Sequence, residues 1–120
     1  MAKNLEVSLL LDFYGDMLTD KQKAFAGYYY NDDLSLSEIG ENEGISRQGV
    51  RDSIKRAEGQ LFEMEERLGL AKRFRDVQEG LEQIIAFADE IAEYNVRNGI
   101  SREISDRATW IKMIAEKLSE

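Results

Sequence analysis

The chain of 120 residues contains no proline, no cysteine and no histidine. Because cysteine is absent, there is no disulfide framework and no thiol chemistry, which suits the reducing cytoplasm. Without cysteine or histidine, the usual transition-metal ligands and the usual nucleophile–base pairs are missing as well. The many carboxylates recur opposite apolar helix positions, as on solvated helix surfaces. We therefore predict no metal, no cofactor and no catalytic residues, so that the protein is not an enzyme.

The sequence also lacks a long apolar run. No stretch approaches the roughly 20 consecutive apolar residues that a membrane-spanning helix needs. The N-terminal segment MAKNLEVSLLLDFYGDML is too short and too acidic for a signal peptide. We therefore predict a soluble cytoplasmic protein that has no membrane partner.

Basic residues are scarce, and they are unevenly distributed. The formal net charge is −8 at pH 7, whereas a general nucleic-acid binder is usually basic. Residues 1–44 hold nine acids and three bases, and residues 74–120 hold ten acids and six bases. Residues 45–57 reverse this balance, since their charged residues are Arg47, Arg51, Lys55, Arg56 and the single acid Asp52. The acidic rest of the chain would repel phosphate, so any nucleic-acid binding should be confined to the face that residues 45–57 form.

Residues 34–56 have the spacing of a helix-turn-helix. Their sequence is LSLSEIGENEGISRQGVRDSIKR. Ser35 and Glu38 form a capping box, which predicts the start of a helix. Gly44 is suited to the end of that helix because glycine adopts a positive φ without strain. Ser46 can cap the following helix. We therefore predict two short helices joined by a tight turn.

The second of these helices has separate inward and outward faces. Val50 and Ile54 lie four residues apart on one face, which predicts that they are buried. The basic residues then point outward, as in a helix that enters the major groove of DNA. Gly40 in the preceding helix would let the second helix approach closely. Trihelical folds use the same turn simply to pack helices, so a purely structural role stays open.

Further capping signals place helices on both sides of this motif. Apolar spacing predicts a helix over residues 4–18, and a capping box at Thr19 and Gln22 starts another that ends near Tyr30. After the motif, an inward stripe continues to about Leu68 before Gly69 stops the helix. The sequence thus predicts a compact helical domain over residues 1–68.

The apolar pattern changes over residues 69–120, where two helices are predicted to form an antiparallel hairpin. Asn98 and Gly99 mark the turn, and Ser101 can cap the second helix. The first helix has a heptad seam, formed by Leu70, Phe74, Val77, Leu81, Ile84, Ala88 and Ile91. The second seam is formed by Ile104, Ala108, Ile111, Ala115 and Leu118.

The length of the first hairpin helix suggests self-association. From Leu70 to Asn98 it would measure about 40 Å, at roughly 1.5 Å per residue. A compact domain of this size is only about 25–30 Å across. We therefore predict a homodimer through residues 70–120, with a possible contribution from Leu5–Leu18. The alternative is that the hairpin folds back over the N-terminal domain.

Specific motifs resemble a known family. The pattern Leu18-Thr19-x-x-Gln22, the pair Tyr29-Tyr30 and the segment DLSLSEIGENEGISRQGVRDSIKRAE resemble region 4 of bacterial sigma factors. More closely, they are similar to the YlxM family of small helix-turn-helix proteins from Gram-positive bacteria. The resemblance covers roughly residues 5–68. It implies an all-α fold in which a sigma region 4-like domain precedes the helical hairpin.

The family resemblance implies two kinds of function. Members are described as DNA-binding regulators, and gene neighbourhood links them to the signal recognition particle pathway. Of the two functions that the resemblance implies, sequence-specific DNA binding ranks first. The alternative is an adaptor or modulator that binds the particle's GTPase or its RNA through helical surfaces. RNA ranks last, because the deep, narrow major groove of A-form RNA does not suit a helix-turn-helix.

The resemblance also implies a set of DNA-binding residues on the second helix of the motif. Arg47 and Arg51 would contact guanine edges or phosphate, and Gln48 would read adenine. Ser46 and Lys55 suit phosphate. The complete predicted set is Ser46, Arg47, Gln48, Arg51, Asp52, Lys55 and Arg56. Gly40 and Gly49 stand where alanine is common, so we expect each to cost its helix about 1 kcal/mol.

Overall fold

The structure, a computed structural model, describes residues 3–120. Over this range the chain forms six α-helices and one short 3₁₀ helix, without a strand. The α-helices are α1 (Glu6–Tyr14), α2 (Asp20–Tyr30), α3 (Leu36–Glu43), α4 (Arg47–Leu68), α5 (Leu70–Asn98) and α6 (Arg102–Leu118), and the 3₁₀ helix is Gly15–Met17. The all-α prediction is confirmed. None of the helices in residues 3–120 is both long enough and apolar enough to cross a membrane.

The chain divides into two compact units, Met1–Ala71 and Lys72–Glu120. The boundary falls in the first turn of α5, a little after the division that we predicted at residue 68. The N-terminal unit contains α1 to α4, and the C-terminal unit contains most of α5 and all of α6. We call the second unit the hairpin.

The N-terminal unit is built around α4, which packs against the other helices through two groups of buried side chains. One group joins α1 and α2 to the middle of α4, and its members include Val7, Leu10, Tyr14, Ala26, Ala57 and Leu61. The other group joins α2 and α3 to the first half of α4, and consists of Phe25, Tyr29, Leu36, Ile39, Val50 and Ile54. The predicted burial of Val50 and Ile54 is confirmed. Their burial leaves the opposite side of α4 facing solvent.

The first helix is shorter than predicted. It ends at Tyr14, and Gly15–Met17 forms the 3₁₀ turn, in which the Leu18 N–H donates to the Gly15 carbonyl at 3.1 Å. Leu18 is then extended, so that the chain can enter the Thr19 cap of α2. This tighter turn swings Met17 into solvent, where the continuous helix predicted over 4–18 would have buried it.

The predicted helix boundaries around α2, α3 and α4 are confirmed by the capping hydrogen bonds. The Thr19 hydroxyl accepts from the Gln22 N–H at 3.2 Å, and the Gln22 side chain accepts from the Thr19 N–H at 3.1 Å. Ser35 and Glu38 make the equivalent pair at 3.0 and 3.2 Å. These bonds satisfy N–H groups that the first turn of a helix leaves without a partner.

The junction of α4 and α5 depends on a polar pair, the buried Tyr14 and the half-buried Glu65. Gly69 adopts a φ of +63° and ends α4, as predicted. The Tyr14 hydroxyl donates to Glu65 Oε1 at 2.7 Å and accepts from the Leu70 N–H at 3.0 Å. Burial raises the pKa of Tyr14 above its usual value, and the hydrogen bond to Glu65 contributes a smaller rise. Leu68 is the last residue of α4 before Gly69 and is exposed, so the buried stripe does not continue to Leu68 as expected.

The hairpin has the predicted turn. Gly99 has a φ of +58°, and the Ser101 hydroxyl accepts from the Glu103 N–H at 3.1 Å to begin α6. Asn95 is buried there and accepts from the Ser101 N–H at 2.9 Å. The Asn95 amide also donates to Ser105 Oγ at 2.6 Å and to the Ser101 carbonyl. This amide therefore holds the turn through both of its polar groups.

Candidate nucleic-acid interface

The turn between α3 and α4 positions the candidate interface. Gly44 has a φ of +70°, and its N–H donates to the Gly40 carbonyl. The Ile45 N–H donates to the same carbonyl at 3.0 Å. Ile45 is half-buried and packs against the group that contains Val50 and Ile54. The turn is therefore closed by backbone hydrogen bonds and fixed by one apolar side chain.

Gly40 is required by this turn. A Cβ at position 40 would lie 2.8 Å from the Ile45 carbonyl oxygen and 3.4 Å from the Arg47 nitrogen. Such a contact with backbone cannot be relieved by a rotamer change. The close approach predicted for Gly40 is confirmed. The expected gain of alanine over glycine in helix propensity, about 1 kcal/mol, is smaller than the cost of moving the turn.

Ser46 fixes the start of α4 at the predicted residue. Its hydroxyl accepts from the Gly49 N–H at 3.0 Å. A Cβ at Gly49 would lie 3.2 Å from that same hydroxyl oxygen, so glycine gives the cap its room. Because this cap sets where α4 begins, it also sets the direction of the side chains in its first turns.

Most of the predicted DNA-binding side chains are exposed, but they do not all share one face. Helix periodicity of about 100° per residue places Gln48, Arg51, Asp52 and Lys55 together on the outward side of α4. Of the seven predicted residues, Arg51 is half-buried and the others are exposed. We call these four residues the outward face.

Arg47 and Arg56 lie on either side of the outward face. Arg47 lines a groove of about 410 Å³ with residues at the start of α3, including Ser35 and Glu38. Arg56 lines a second groove of about 400 Å³, together with Lys21 of α2. The structure thus spreads the predicted set across the width of the motif.

Lys21 was missed by the sequence reasoning. It lies in the first turn of α2, and its ammonium group is 5.5 Å from the centre of the Phe25 ring. No local pattern joins it to α4, because the basic segment was counted over residues 45–57 alone. A periodicity argument extended to every helix that contacts α4 would have been needed to find it.

The positive charges of α4 are available to a ligand. Within residues 3–120, Arg47, Arg51, Lys55 and Arg56 take part in no ion pair. Some other cations of the described chain are paired with a carboxylate, for example Arg67 with Glu63 at 3.0 Å, whereas others, such as Arg97 and Arg102, are in no ion pair either. Phosphate could therefore approach the α4 cations without displacing an acidic partner.

Asp52 is the exception on the outward face. Its Oδ1 accepts from Gln48 Nε2 at 2.9 Å, an i,i+4 pair along α4. This bond orients the Gln48 amide, and the carboxylate places one negative charge among the cations. Exposed acids of α3, Glu41 and Glu43, also lie on the preceding helix of the motif. The basic residues of α4 consequently have one carboxylate, that of Asp52, among them.

The geometry shows no metal centre. Within residues 3–120 no cluster of three or more Asp and Glu side chains is placed to hold a metal ion.

Comparison with known proteins identifies relatives that match between two thirds and nearly all of this chain. A UPF0122 protein of Listeria welshimeri is 37% identical over 112 residues, which cover 93% of this chain and 96% of the relative. A UPF0122 protein of Clostridium kluyveri is 42% identical over 91 residues, 76% of this chain and 82% of the relative. A UPF0122 protein of Thermoanaerobacter strain X514 is 51% identical over 80 residues, 67% of this chain and 68% of the relative.

A family match agrees with these relatives. Residues 1–95 match the UPF0122 family, described as "Putative helix-turn-helix protein, YlxM / p13 like". The match contains the N-terminal unit and α5 up to Asn95. The family description is that of a helix-turn-helix protein and names no enzyme. With this motif, these caps and these relatives, the chain belongs to the YlxM/p13-like UPF0122 family of helix-turn-helix proteins.

Proposed function

We propose that this protein is a DNA-binding regulator that reads duplex DNA with the N-terminal half of α4. The observation that carries the proposal is the set of four cations on α4 that have no ion-pair partner in residues 3–120, on a chain of net charge −8. Phosphate attraction supplies most of the affinity of such proteins. A net-acidic surface would confine that attraction to this strip.

The position of each side chain suggests its role. Arg51 and Gln48, on the outward face, suit guanine and adenine edges, and Asp52 can accept from a cytosine amino group. Lys55 on the same face, and Ser46 and Arg47 at the start of α4, suit phosphate.

Arg56 extends this surface towards α2. It lines one groove with Lys21, so two cations from different helices would contact one stretch of the DNA backbone.

A regulator of this type would bind as a homodimer. One strip of four cations is a small interface, and two copies would double it. We propose that residues 70–120 join the copies, so that the two α4 helices reach half-sites about one helical turn apart, roughly 34–36 Å. The same proposal describes a cytoplasmic protein that works without catalysis and without a cofactor.

An unbiased selection from random duplexes, with an Arg47→Ala/Arg51→Ala double variant beside the wild type, tests the proposal. The wild type should enrich one sequence, and the variant should lose that enrichment. A matched control, Arg102→Ala/Lys117→Ala, removes the same charge from exposed positions of α6 and should select as the wild type does. Enrichment that survives in the Arg47/Arg51 variant would contradict the assignment of the interface.

The acidic remainder supports a second candidate function. A chain of net charge −8 is attracted to basic partners, and the hairpin exposes large apolar side chains. This candidate is an adaptor that modulates the signal recognition particle by binding its GTPase, or less favourably its RNA. Calorimetry with the purified GTPase and, separately, with the RNA tests it. Two results together would favour the adaptor over the DNA regulator. The wild type would select no duplex, and Arg47→Ala/Arg51→Ala would bind the GTPase as tightly as the wild type does.

A further inference from the structure

The two helices of the hairpin contact each other mainly through small side chains. Three contacts mark their common interface: Lys112 Nζ lies 3.0 Å from Asp89 Oδ1, Asn95 bonds Ser105, and Gln78 donates to the Ser119 carbonyl at 2.8 Å. The buried side chains of the hairpin are Leu81, Ala88, Asn95, Ala108 and Ala115. Leu81 is thus the one large apolar side chain that the described hairpin buries.

Most of the other large apolar side chains of the hairpin are exposed, and many of them share one side. At the turn end, Phe87, Ile91 and Tyr94 of α5 line one groove of about 740 Å³ together with Ile100 and Ile104 of α6. Steps of seven residues continue the same side along both helices, to Ile84 and Val77 on α5 and to Ile111 and Leu118 on α6. Ile114 lies between the last two.

We call this surface the apolar face. It comprises Val77, Ile84, Phe87, Ile91, Tyr94, Ile100, Ile104, Ile111, Ile114 and Leu118, whose exposed fractions range from 39% to 65%.

The apolar face is large enough to be an interface. Its ten side chains expose roughly 900 Å² together, whereas a standard protein–protein interface buries about 800 Å² per partner. The largest apolar patch on a typical monomer is only about 300–600 Å².

We propose that the apolar face is covered by the same face of a second copy, so that two hairpins form a four-helix bundle. The inference deepens the homodimer of the proposed function by assigning it to one face. A two-fold interface requires a surface that complements itself, with each residue meeting a second one reciprocally. Both helices contribute apolar stripes, and the rim of the groove carries both signs of charge, at Glu90 and Arg97. The face meets that requirement.

The size of the hairpin's own core supports the same occupant. One buried leucine and three alanines give a two-helix unit little stabilising area. The chain has no cysteine with which to cross-link the helices. A second copy is present whenever the chain is made, and it would bury the apolar area that the hairpin leaves exposed.

Exposed apolar residues that lie off the face provide matched controls. Val96 is 74% exposed and lies nine residues after Phe87, about half a turn around α5. Met113 is 60% exposed and lies two residues after Ile111, about 200° around α6. Ile91 and Ile111 are less exposed, at 47% and 46%. If exposed apolar area alone caused association, the control positions would have the larger effect.

Sedimentation velocity on the full chain at micromolar concentration tests the face. The wild type should sediment at twice the chain mass of 13.8 kDa. Ile91→Lys/Ile111→Lys should raise the dimer dissociation constant at least a hundred-fold, and Val96→Lys/Met113→Lys should change it less than three-fold. A monomeric wild type, or equal weakening by both pairs, would overturn the inference.

A cross-linking measurement guards against a variant that fails to fold. Ile111 lies near the middle of the face, where the two-fold axis has to pass. Because the chain has no cysteine, Ile111→Cys and Met113→Cys each introduce a single thiol. A short bismaleimide should join Ile111→Cys into a covalent dimer and leave Met113→Cys uncoupled; the reverse pattern would overturn the inference. Neither readout depends on DNA, so a monomer that still selects one duplex sequence would refute this face and leave the DNA-binding proposal intact.

Discussion

The N-terminal unit and the hairpin differ in the side chains that they bury. The N-terminal unit fully buries large residues, among them Tyr14, Leu10, Ile39, Ile54 and Leu61. The hairpin buries mostly alanine, and it exposes its aromatics and all of its isoleucines except the half-buried Ile85. Apolar burial stabilises by about 25 cal/mol per Å², so the first unit contains its own stabilising core while the hairpin has most of its apolar area outside. An apolar stripe on a helix therefore predicts a contact, but not whether that contact lies within the chain.

The two units also differ in the surface that they offer. The N-terminal unit exposes a strip of cations on α4 that have no ion-pair partner in the described chain. The hairpin exposes the apolar face. Charge attraction is long-range and screened by salt, whereas apolar contact is short-range and nearly independent of salt. The units should consequently respond differently to the same changes.

The largest difference should come from shortening one isoleucine in each unit. Ile54 is fully buried, so Ile54→Ala should lower the free energy of unfolding by about 2–5 kcal/mol at any protein concentration. Ile84 is 44% exposed on the apolar face, so Ile84→Ala should act chiefly by weakening the dimer. Urea unfolding at two protein concentrations separates the effects. A concentration-independent loss for Ile84→Ala as large as that for Ile54→Ala would remove the distinction between the units.

Salt should affect DNA binding and self-association unequally. Four cations per protomer predict a log–log slope no steeper than about −3.6, so a change from about 50 to 200 mM salt should weaken DNA binding by up to roughly a hundred-fold per protomer. The dimer dissociation constant should change less than about three-fold over the same range, because the apolar face carries little charge. Fluorescence anisotropy with a labelled duplex and sedimentation without DNA measure the two quantities. If the dimer dissociation constant depended on salt as steeply as DNA binding does, charges would also join the two copies.

A smaller effect should separate two helical glycines of the N-terminal unit. Gly40→Ala forces a Cβ to within 2.8 Å of the Ile45 carbonyl and should destabilise the unit by about 1–3 kcal/mol. Gly59→Ala meets nothing within 4 Å and should stabilise α4 by roughly 0.5–1 kcal/mol. Thermal unfolding of both variants shows directly whether each substitution raises or lowers the stability. Stabilisation by Gly40→Ala would show that the turn can move without cost, and the α3–α4 geometry would then be less constrained than its contacts indicate.

Much of the helical organisation could be predicted because its determinants are local. A capping box joins residues three apart, as in Thr19 with Gln22 and Ser35 with Glu38. Glycines that require a positive φ, such as Gly44 and Gly69, end helices irrespective of what surrounds them. The same reasoning correctly placed the hairpin turn and both of its helices. It was wrong at Met17 and Leu68, where apolar spacing predicted burial and the chain turned before burial could occur.

The candidate interface could be predicted only in part, for a related reason. Charge counting found the α4 cations because they are adjacent in sequence. Lys21 joins Arg56 only because α2 packs beside α4, and an ion pair such as that of Lys112 with Asp89 depends on which side chains meet in space.

The amino-acid sequence alone was sufficient for most of the helix boundaries, for the helix-turn-helix and for the family, since all three depend on contacts between near neighbours or on a motif. The three-dimensional arrangement was needed to show that Tyr14 and Glu65, which are 51 residues apart, begin α5 together. It was also needed to show that Gly40 is required by the Ile45 carbonyl, and that the hairpin buries Ala88, Ala108 and Ala115 while most of its isoleucines are exposed. Those properties depend on which helix faces pack together, and periodicity along one helix carries no information about the partner that it meets.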